Sequence, residues 1–250
     1  MSVIAVCSGK GSPGATFVAV NLATALSHGN DVLLLDLDPA GGDIAAYLGL
    51  DPRRGIFPLL RMDNDIPKPE AIVHEAEERG GLLALSGFPE SSPATSPSVL
   101  SCLVSRAKQT DRTVVVDIGR ITTDSAIVAR EADFILIVVR PDLVSVLGAE
   151  RALRSLKERR VDFSHTAAVI SGLERRRPGD IAEVAKAMGI SVAGTIPLHH
   201  RSARQALIAQ KPIQKGRLHK SFRMLAEEVR SRMEPPAEPQ PAPQLVEAVG

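Results

Sequence analysis

A buried strand that runs directly into a glycine-rich turn and then into a helix is the feature that most constrains this chain. Ser2–Cys7 alternates small and β-branched side chains, which predicts a buried strand. The turn Ser8–Thr16 contains three glycines, and helical periodicity follows over Phe17–Ser27. Glycines let backbone N–H groups point inward, and a helix N-terminus adds a favourable dipole. The turn therefore predicts a phosphate-binding loop.

The rest of the chain alternates short apolar runs with helical stretches, which predicts an α/β fold. The sheet is expected to be mostly parallel and twisted, with helices on both faces in three layers. In such sheets, ligands bind beyond the carboxyl ends of the strands. The further strands are predicted at Asp31–Asp36, Leu82–Ser86, Thr113–Asp117, Phe134–Arg140, Thr166–Ile170 and Val192–Thr195, and the further helices at Ser98–Ala107, Asp124–Glu131, Leu143–Arg159 and Ile181–Met188.

Length and composition favour one domain. The 250 residues are 44% hydrophobic, which provides for a sizeable core. We expect the domain to span residues 1–233 and residues 234–250 to form a disordered tail, since five prolines fall within residues 234–244. No apolar run approaches the roughly 18 residues of a membrane span, and the start of the chain is too short and uncharged for a signal peptide. With two widely separated cysteines, these features favour a cytoplasmic protein.

The glycine-rich turn departs from the full phosphate-loop pattern at one position. The pattern is G-x-x-x-x-G-K-[ST], whereas Gly9 to Thr16 is G-K-G-S-P-G-A-T, with Ala15 in place of the lysine. Loss of that charge-assisted contact costs on the order of 1.5–3 kcal/mol in binding. The alternative is a glycine-rich turn that binds no ligand.

The segment Lys10–Thr16 resembles the deviant Walker A box of the ParA/MinD family of P-loop ATPases, usually K-G-G-x-G-K-T. The resemblance implies a P-loop NTPase-like sandwich with ATP and Mg²⁺ as cofactors. Lys10 falls on the signature lysine, which in the family reaches the nucleotide of a partner subunit, and this implies a homodimer. Thr16 falls on the hydroxyl that ligates Mg²⁺. Ser12 and Ala15 are departures from the family pattern.

Two later segments match further family motifs. Leu33–Asp43 resembles the D-x-D-P-Q-G signature, with Asp36 near the Mg²⁺ shell and Asp38 at the position that orients the attacking water. Thr113–Gly119 resembles the Walker B strand, in which Asp117 would hold Mg²⁺ through water and Gly119 would offer its N–H to the γ-phosphate. Each segment alone is also compatible with an ordinary strand that ends in a polar turn.

The resemblance extends to about residue 215 through Ala132–Asp142, Gly194–Pro197 and Gln205–Ile213. Where the family usually has an adenine-reading asparagine, this chain has Ser171-Gly172, so its base selectivity is open. Loss of the loop lysine with retention of Lys10 is similar to the CpaE/TadZ branch. The nucleotide contacts implied by the resemblance are Gly9, Lys10, Gly11, Ser12, Pro13, Gly14, Ala15, Thr16, Phe17, Gly119 and Pro197; the implied metal ligands are Thr16, Asp36 and Asp117, and the catalytic residues Lys10 and Asp38.

Charge is distributed unevenly along the sequence. The net charge is −7 over residues 1–150, +11 over residues 151–233 and −3 over the tail. The split suggests one basic surface attracted to a polyanion, such as non-specific DNA. A solvated surface or one that faces a protein partner or cargo explains the same charges. The main clusters are Arg151 to Arg160, Arg175-Arg176-Arg177, His199 to Arg204 and Lys215 to Arg223.

An apolar stripe lies near the end of the predicted domain. Phe222, Leu225, Val229 and Met233 recur at helical spacing. MinD relatives end in a membrane-binding helix, but an acidic, proline-rich tail follows this stripe and anionic lipid would repel it. We therefore expect core packing and no stable membrane insertion.

Three hypotheses for function follow. The first is a ParA/MinD-like dimeric switch for intracellular positioning or partitioning, with weak ATP hydrolysis. The second is a pseudo-ATPase scaffold or polar-localisation factor that binds nucleotide weakly or not at all, which Ala15, Ala40 and Ser171-Gly172 favour. The third is a DNA-binding protein that needs no nucleotide.

Overall fold

The sheet of this computed structural model has eight strands, and the structure describes residues 2–11, 14–51, 53–61, 67–87, 96–174 and 178–234. The strand order across the sheet is β3-β4-β2-β5-β1-β6-β7-β8, and only the β3–β4 pair is antiparallel. The strands are β1 (Val3–Ser8), β2 (Val32–Asp36), β3 (Glu77–Arg79), β4 (Leu82–Leu85), β5 (Thr113–Arg120), β6 (Phe134–Val139), β7 (Thr166–Leu173) and β8 (Ser191–Pro197).

Strand β1 lies at the centre of the sheet, between β5 and β6. Every side chain of β1 is buried, as expected of a parallel strand covered on both faces. In the parallel register Ser8 is opposite Arg120 on one side and Val138 on the other. The turn that follows β1 therefore emerges beside the carboxyl ends of both neighbouring strands.

Helices cover both faces of the sheet in three layers, which confirms the predicted architecture. Strand side chains alternate between the two faces, so Val3, Ala5 and Cys7 join one core while Ile4 and Val6 join the other. The first core is closed by α3 (Ile56–Arg61), α4 (Pro69–Glu75), α5 (Pro97–Ala107), α6 (Ser125–Ala129), α7 (Leu143–Glu158) and α8 (Pro178–Met188). The second is closed by α1 (Ala15–Leu26), α2 (Ile44–Leu48), α9 (His200–Ala209) and α10 (Gly216–Met233).

Helix α10 packs along α1, which confirms the prediction that its apolar stripe serves the core. Phe222, Leu225 and Val229 are at most 1% exposed. The Phe222 ring meets the edge of Phe17 with centroids 5.5 Å apart, and the Arg230 guanidinium donates to the carbonyl oxygen of Leu26 at 2.7 Å. None of the helices within the described ranges is both long and apolar enough to cross a membrane.

The structure differs from the sequence prediction mainly outside the central strands. Helix α1 begins at Ala15, two residues earlier than predicted, and β5 and β7 continue to Arg120 and Leu173. The sequence analysis missed α2, α3, α4, α9 and the edge strand β3, which are short or carry few apolar residues. The predicted tail after Glu234 lies outside the described residues.

The prediction of a single basic surface is wrong for the described residues. Arg151 and Arg154 lie on α7, on one face of the sheet, whereas Arg217, Lys220 and Arg223 lie on α10, on the opposite face. Sequence proximity did not indicate which face each helix would cover. The triplet at residues 175–177 lies outside the described ranges.

We expect Phe222→Ala to lower the free energy of unfolding by about 3–5 kcal/mol, because it removes a buried ring from the α1–α10 contact. Met224→Ala on the same helix is the matched control, since Met224 is 53% exposed. Its effect should stay within about 0.5 kcal/mol. Urea unfolding followed by circular dichroism measures both, and equal losses for the two variants would contradict the packing described.

Candidate nucleotide-binding site

The glycine-rich loop after β1 is held by its first residue and by the helix that follows. The Ser8 hydroxyl donates to the carbonyl oxygen of Lys10 at 2.9 Å, which bends the chain immediately after the strand. Gly14 precedes α1 with φ of +95°, a conformation that a side chain would strain. Ser12 and Pro13 lie outside the described residues.

Gly9 brings the loop into backbone contact with α7. A Cβ atom at Gly9 would lie 2.1 Å from the carbonyl group of Gly148, so only glycine fits there. On the other side of the contact, a Cβ at Gly148 would lie 3.4 Å from the Lys10 Cβ. The sequence analysis missed Gly148, for which the only signal was a glycine within a helix.

The first turn of α1 presents backbone N–H groups toward the loop. The first intrahelical bond runs from the Val18 N–H to the Gly14 carbonyl, so the N–H groups of Ala15, Thr16 and Phe17 come before the helical ladder. The Ala15 side chain is 7% exposed and joins the α1 side of the core. The Phe17 ring packs against Tyr47 and Phe222, which leaves its backbone as the part that could meet a ligand.

Asp117 is a buried carboxylate with an unsatisfied oxygen. It lies in β5, where Oδ1 accepts a hydrogen bond from the Gly119 N–H at 3.0 Å. Oδ2 is buried and has no hydrogen-bond partner of normal geometry among the described residues. Burial raises the pKa of Asp117 to about 6, although the nearby Thr16 hydroxyl and the Gly119 N–H partly offset the shift.

Asp36 is also fully buried, but its carboxylate oxygens accept hydrogen bonds from the backbone of the loop that follows β2. Oδ2 accepts from the Ile44 N–H at 3.0 Å, at the start of α2, and Oδ1 lies 3.4 Å from the Asp38 amide nitrogen. Gly42 and Gly87 enclose the carboxyl group, since Cβ atoms there would lie 2.1 Å and 2.9 Å from it. Burial, followed by the charge of Asp117, raises its pKa well above the ordinary range. The predicted role of Asp36 near a metal stays a prediction.

Asp38 lies directly against Gly119. A Cβ at Gly119 would fall 2.1 Å from Asp38 Oδ2, and the φ of Gly119 is +57°. Asp38 Oδ1 accepts from the Ala40 N–H at 2.9 Å, and burial raises its pKa. The Gly119 N–H predicted to meet a phosphate donates instead to Asp117, so a phosphate contact would require that bond to break.

Lys10 is the cation nearest the start of the loop. Its ammonium group lies 4.0 Å from Asp142 Oδ1, and its side chain is 32% exposed. Arg140 approaches the other oxygen of the same carboxylate, with Nε 3.9 Å from Oδ2. Asp142 is fixed at the start of α7, where Oδ1 also accepts from the Ser145 N–H at 2.8 Å.

The loop also approaches the end of β7. A Cβ at Gly14 would lie 3.5 Å from the Ser171 hydroxyl oxygen. Pro197 ends β8, the next strand beyond β7, and is opposite Leu173 in the register. Because strands are spaced about 4.8 Å apart, Pro197 lies roughly 14 Å along the edge from the end of β1. The structure places Pro197 on the same edge as the loop, and its predicted nucleotide contact stays a prediction.

These groups fit a magnesium-bound nucleoside triphosphate. A glycine turn and three helix N–H groups provide donors for phosphate oxygens. The unpartnered Asp117 Oδ2 beside the Thr16 hydroxyl matches the all-oxygen ligands that Mg²⁺ takes, directly or through water. The predicted site residues that the structure brings together are Gly9, Lys10, Gly14, Ala15, Thr16, Asp36, Asp38, Asp117 and Gly119.

The raised pKa of Asp117 predicts a pH-dependent stability of the ligand-free protein. Its folded-state pKa of about 6 lies above the ordinary 3.8, so the native state binds the proton more tightly than the unfolded chain. This contribution is present below about pH 4 and is lost as the pH rises through 6. Asp117→Asn should therefore raise the free energy of unfolding at pH 7.5 by on the order of 2 kcal/mol and change it little at pH 4.

Thermal unfolding at the two pH values measures the difference. Asp111→Asn is the control, since Asp111 lies on the exposed turn before β5. An Asp117→Asn protein that is less stable at pH 7.5, with an unchanged pH profile, would contradict the burial cost assigned to this carboxylate.

Comparison with known proteins gives the family. The sequence model described as "CobQ/CobB/MinD/ParA nucleotide binding domain" matches residues 4–213. An uncharacterized protein of Mycobacterium tuberculosis is 27% identical over 207 residues, which cover 82% of this chain and 57% of that protein. The chain thus spans little more than half the length of that relative. Maintenance of carboxysome distribution protein A of Gloeobacter kilaueensis is 28% identical over 195 residues, covering 68% of this chain and 82% of the relative.

Solved structures show the same fold. A ParA family ATPase from Chlorobium tepidum superposes with a TM-score of 0.76 at 22% identity, covering 90% of this chain and 98% of that one. MinD of Pyrococcus horikoshii complexed with Mg-ADP gives 0.69 at 17% identity, covering 91% and 95%. At these identities the likeness establishes the fold alone. The family model matches residues 4–213, which is most of the sequence and more than a shared fold. The chain therefore belongs to the CobQ/CobB/MinD/ParA nucleotide-binding family.

Proposed function

We propose that this protein is a nucleotide-dependent dimeric switch for intracellular positioning or partitioning. The single observation that carries the proposal is the arrangement at the carboxyl edge of the sheet. There the glycine loop that follows β1, the N–H groups at the start of α1 and the buried Asp117 of the neighbouring strand β5 lie at the same edge. The relative from Gloeobacter kilaueensis, a carboxysome distribution protein by name, supports a positioning role.

Each binding group has a defined part in this proposal. Gly9, Gly11 and Gly14 let the loop amides face phosphate, and the N–H groups of α1 extend the same donor set. The residues between Gly11 and Gly14 complete the loop by sequence. Thr16 and Asp117 would hold Mg²⁺, which when bound neutralises phosphate charge. Asp36 would support the proposed metal site indirectly, because its hydrogen bonds fix the turn that carries Asp38.

The dimer is proposed from Lys10 and an exposed apolar patch beside it. Among the described residues the ion-pair partner of the Lys10 ammonium group is Asp142 at 4.0 Å, and this pair is partly exposed and therefore weak. Leu143, Val144 and Leu147 follow on α7 and are 73%, 60% and 42% exposed. Apolar side chains this exposed, next to the loop, suit burial against a second copy. Lys10 would then leave Asp142 for the nucleotide of the partner subunit.

Hydrolysis by this site is proposed to be slow. Asp38 lies beside Gly119 at the position proposed to orient water. Ala15 contributes no charge to the phosphates, and phosphoryl transfer depends on such electrostatic stabilisation. The switch therefore rests on binding rather than turnover, because a ligand shifts an equilibrium only through its different affinity for two states.

A pseudo-ATPase scaffold is the second candidate, and one observation favours it specifically. The Gly119 N–H, which would meet a γ-phosphate, is engaged by Asp117 instead. Together with Ala15, this is compatible with a loop that binds nucleotide weakly or not at all. Melting temperature with and without millimolar ATP·Mg²⁺ separates the two candidates, since binding to the native state raises stability by mass action.

We propose non-specific DNA as a partner of the basic residues on α10, within the 151–233 region. Arg217, Lys220 and Arg223 recur every three residues along the exposed side of α10. Such a row provides phosphate contacts and no base recognition. Charge reversal of these three residues should abolish DNA binding and its salt dependence, as measured by fluorescence anisotropy. Retained binding with an unchanged salt slope would remove α10 from this proposal.

We expect Lys10→Ala to bind ATP·Mg²⁺ but to stay monomeric, because its loop amides are intact while the residue proposed to cross between subunits is gone. Light scattering after size-exclusion chromatography, with and without nucleotide, measures the state. Lys186→Ala on α8 is the control, since Lys186 is exposed on another helix. A Lys10→Ala protein that still dimerises on ATP would contradict the role of Lys10.

We expect Ala15→Lys to raise the rate of ATP hydrolysis at least 10-fold, since it restores a cation at the phosphates. Asp38→Asn in the same background should return the rate to near the original level, because the carboxylate proposed to orient water is lost. Phosphate release at saturating ATP measures both. Fast hydrolysis by the unaltered protein, unaffected by Ala15→Lys, would contradict the effect assigned to the missing lysine.

A further inference from the structure

The proposed nucleotide site has many carboxylates and few cations. Asp36, Asp38 and Asp117 all lie at the carboxyl edge of β2 and β5. Position 15, where a phosphate-binding cation would be expected, is a buried alanine. A nucleoside triphosphate carries several negative charges, so binding on the proposed site requires positive charge from another part of the edge.

The register of the sheet places Arg140 next to the loop. Ser8 pairs with Val138, and Val139 pairs with Ile170. Arg140 follows Val139 directly, so its backbone lies between the base of the loop and Ser171. The loop itself passes to the same place, because Gly14 approaches the Ser171 hydroxyl. Arg140 is therefore flanked by both ends of the phosphate loop.

Two hydrogen bonds fix the backbone on which Arg140 is presented. The Arg140 N–H donates to the Ser145 hydroxyl oxygen at 2.9 Å, while the Ser145 N–H donates to Asp142 at 2.8 Å. The position of the α-carbon at 140 is thus tied to the first turn of α7. The side chain, by contrast, is 44% exposed, so its guanidinium group is open to solvent.

The guanidinium group lies over the glycine that follows Ser171. A Cβ at Gly172 would be 3.6 Å from Arg140 Cζ, and Gly172 has a φ of +78°. Among the described residues the ion-pair partner of Arg140 is Asp142, with Nε 3.9 Å from Oδ2. An exposed pair at that distance contributes little, so releasing the guanidinium to another anion costs little.

We propose that Arg140 supplies the phosphate-binding cation that position 15 lacks, an inference that rests on the proposed function. On nucleotide binding its guanidinium leaves Asp142 and binds phosphate oxygens at the loop. Its planar donors suit bidentate contact with phosphate, which a single ammonium group cannot make. Asp142, which pairs with both Lys10 and Arg140, then holds the two cations in the absence of ligand.

Calorimetric titration of the full chain with two probes tests this inference. The probes are ATP·Mg²⁺ and tripolyphosphate·Mg²⁺, which shares the phosphates but has no base or ribose. Arg140→Ala should weaken the binding of both probes by about 10- to 100-fold. Arg140→Lys should recover part of that loss, and Arg154→Ala, an exposed arginine on α7, should match the unaltered protein.

A double variant makes the test specific to position 15. If Arg140 replaces the missing lysine, then adding Ala15→Lys to Arg140→Ala should restore binding to within about 3-fold of the unaltered protein, so the two changes are strongly non-additive.

Melting temperatures without ligand check that each variant folds, and Arg140→Gln substitutes if Arg140→Ala is destabilised. Unchanged binding by both Arg140 variants would overturn the inference, as would a loss confined to ATP. If the unaltered protein binds neither probe, the proposed function itself fails, and this inference with it.

Discussion

The parallel pairing of β1 with β5 and β6 is the constraint on which the rest of the structure depends. It aligns three carboxyl ends at one edge, so the loop after β1 meets Asp117 on one side and Arg140 on the other. Side chains far apart in sequence become neighbours through strand spacing alone. The glycines at 9 and 148 then let the loop lie against α7 without a side chain between them.

Burial of carboxylates at this edge opposes folding, and the same carboxylates are proposed to form part of a ligand site. Asp36 satisfies its oxygens within its own loop, whereas Asp117 Oδ2 has no hydrogen-bond partner of normal geometry among the described residues. An unpaired buried acid is costly in the free protein, and a bound cation would remove that cost. We therefore propose that ligand binding and stability are linked at this edge, and that Lys10 and Arg140, rather than position 15, supply the positive charge for the phosphates.

Much of the fold followed from the sequence because its central strands are continuous apolar runs separated by helices. The site was predictable only in part. Ser8–Thr16 was identified from its glycine pattern, and the aspartates from their resemblance to family motifs. Gly148 and Arg140 carry no local signal, because their places beside the loop arise from helix packing and strand register. The sequence also did not show that α7 and α10 cover opposite faces of the sheet, since periodicity shows which side of a helix is apolar but not which face of the sheet the helix covers.

Hydrogen exchange of the loop amides directly measures the phosphate binding that is proposed for these backbone N–H groups. Mass spectrometry would follow the peptide that covers residues 8–17, with and without saturating ATP·Mg²⁺. We expect slower exchange in that peptide when nucleotide is present, while the α5 region (Pro97–Ala107) on the far layer stays unchanged. Equal exchange of residues 8–17 in both conditions at millimolar ATP would contradict the proposed phosphate binding.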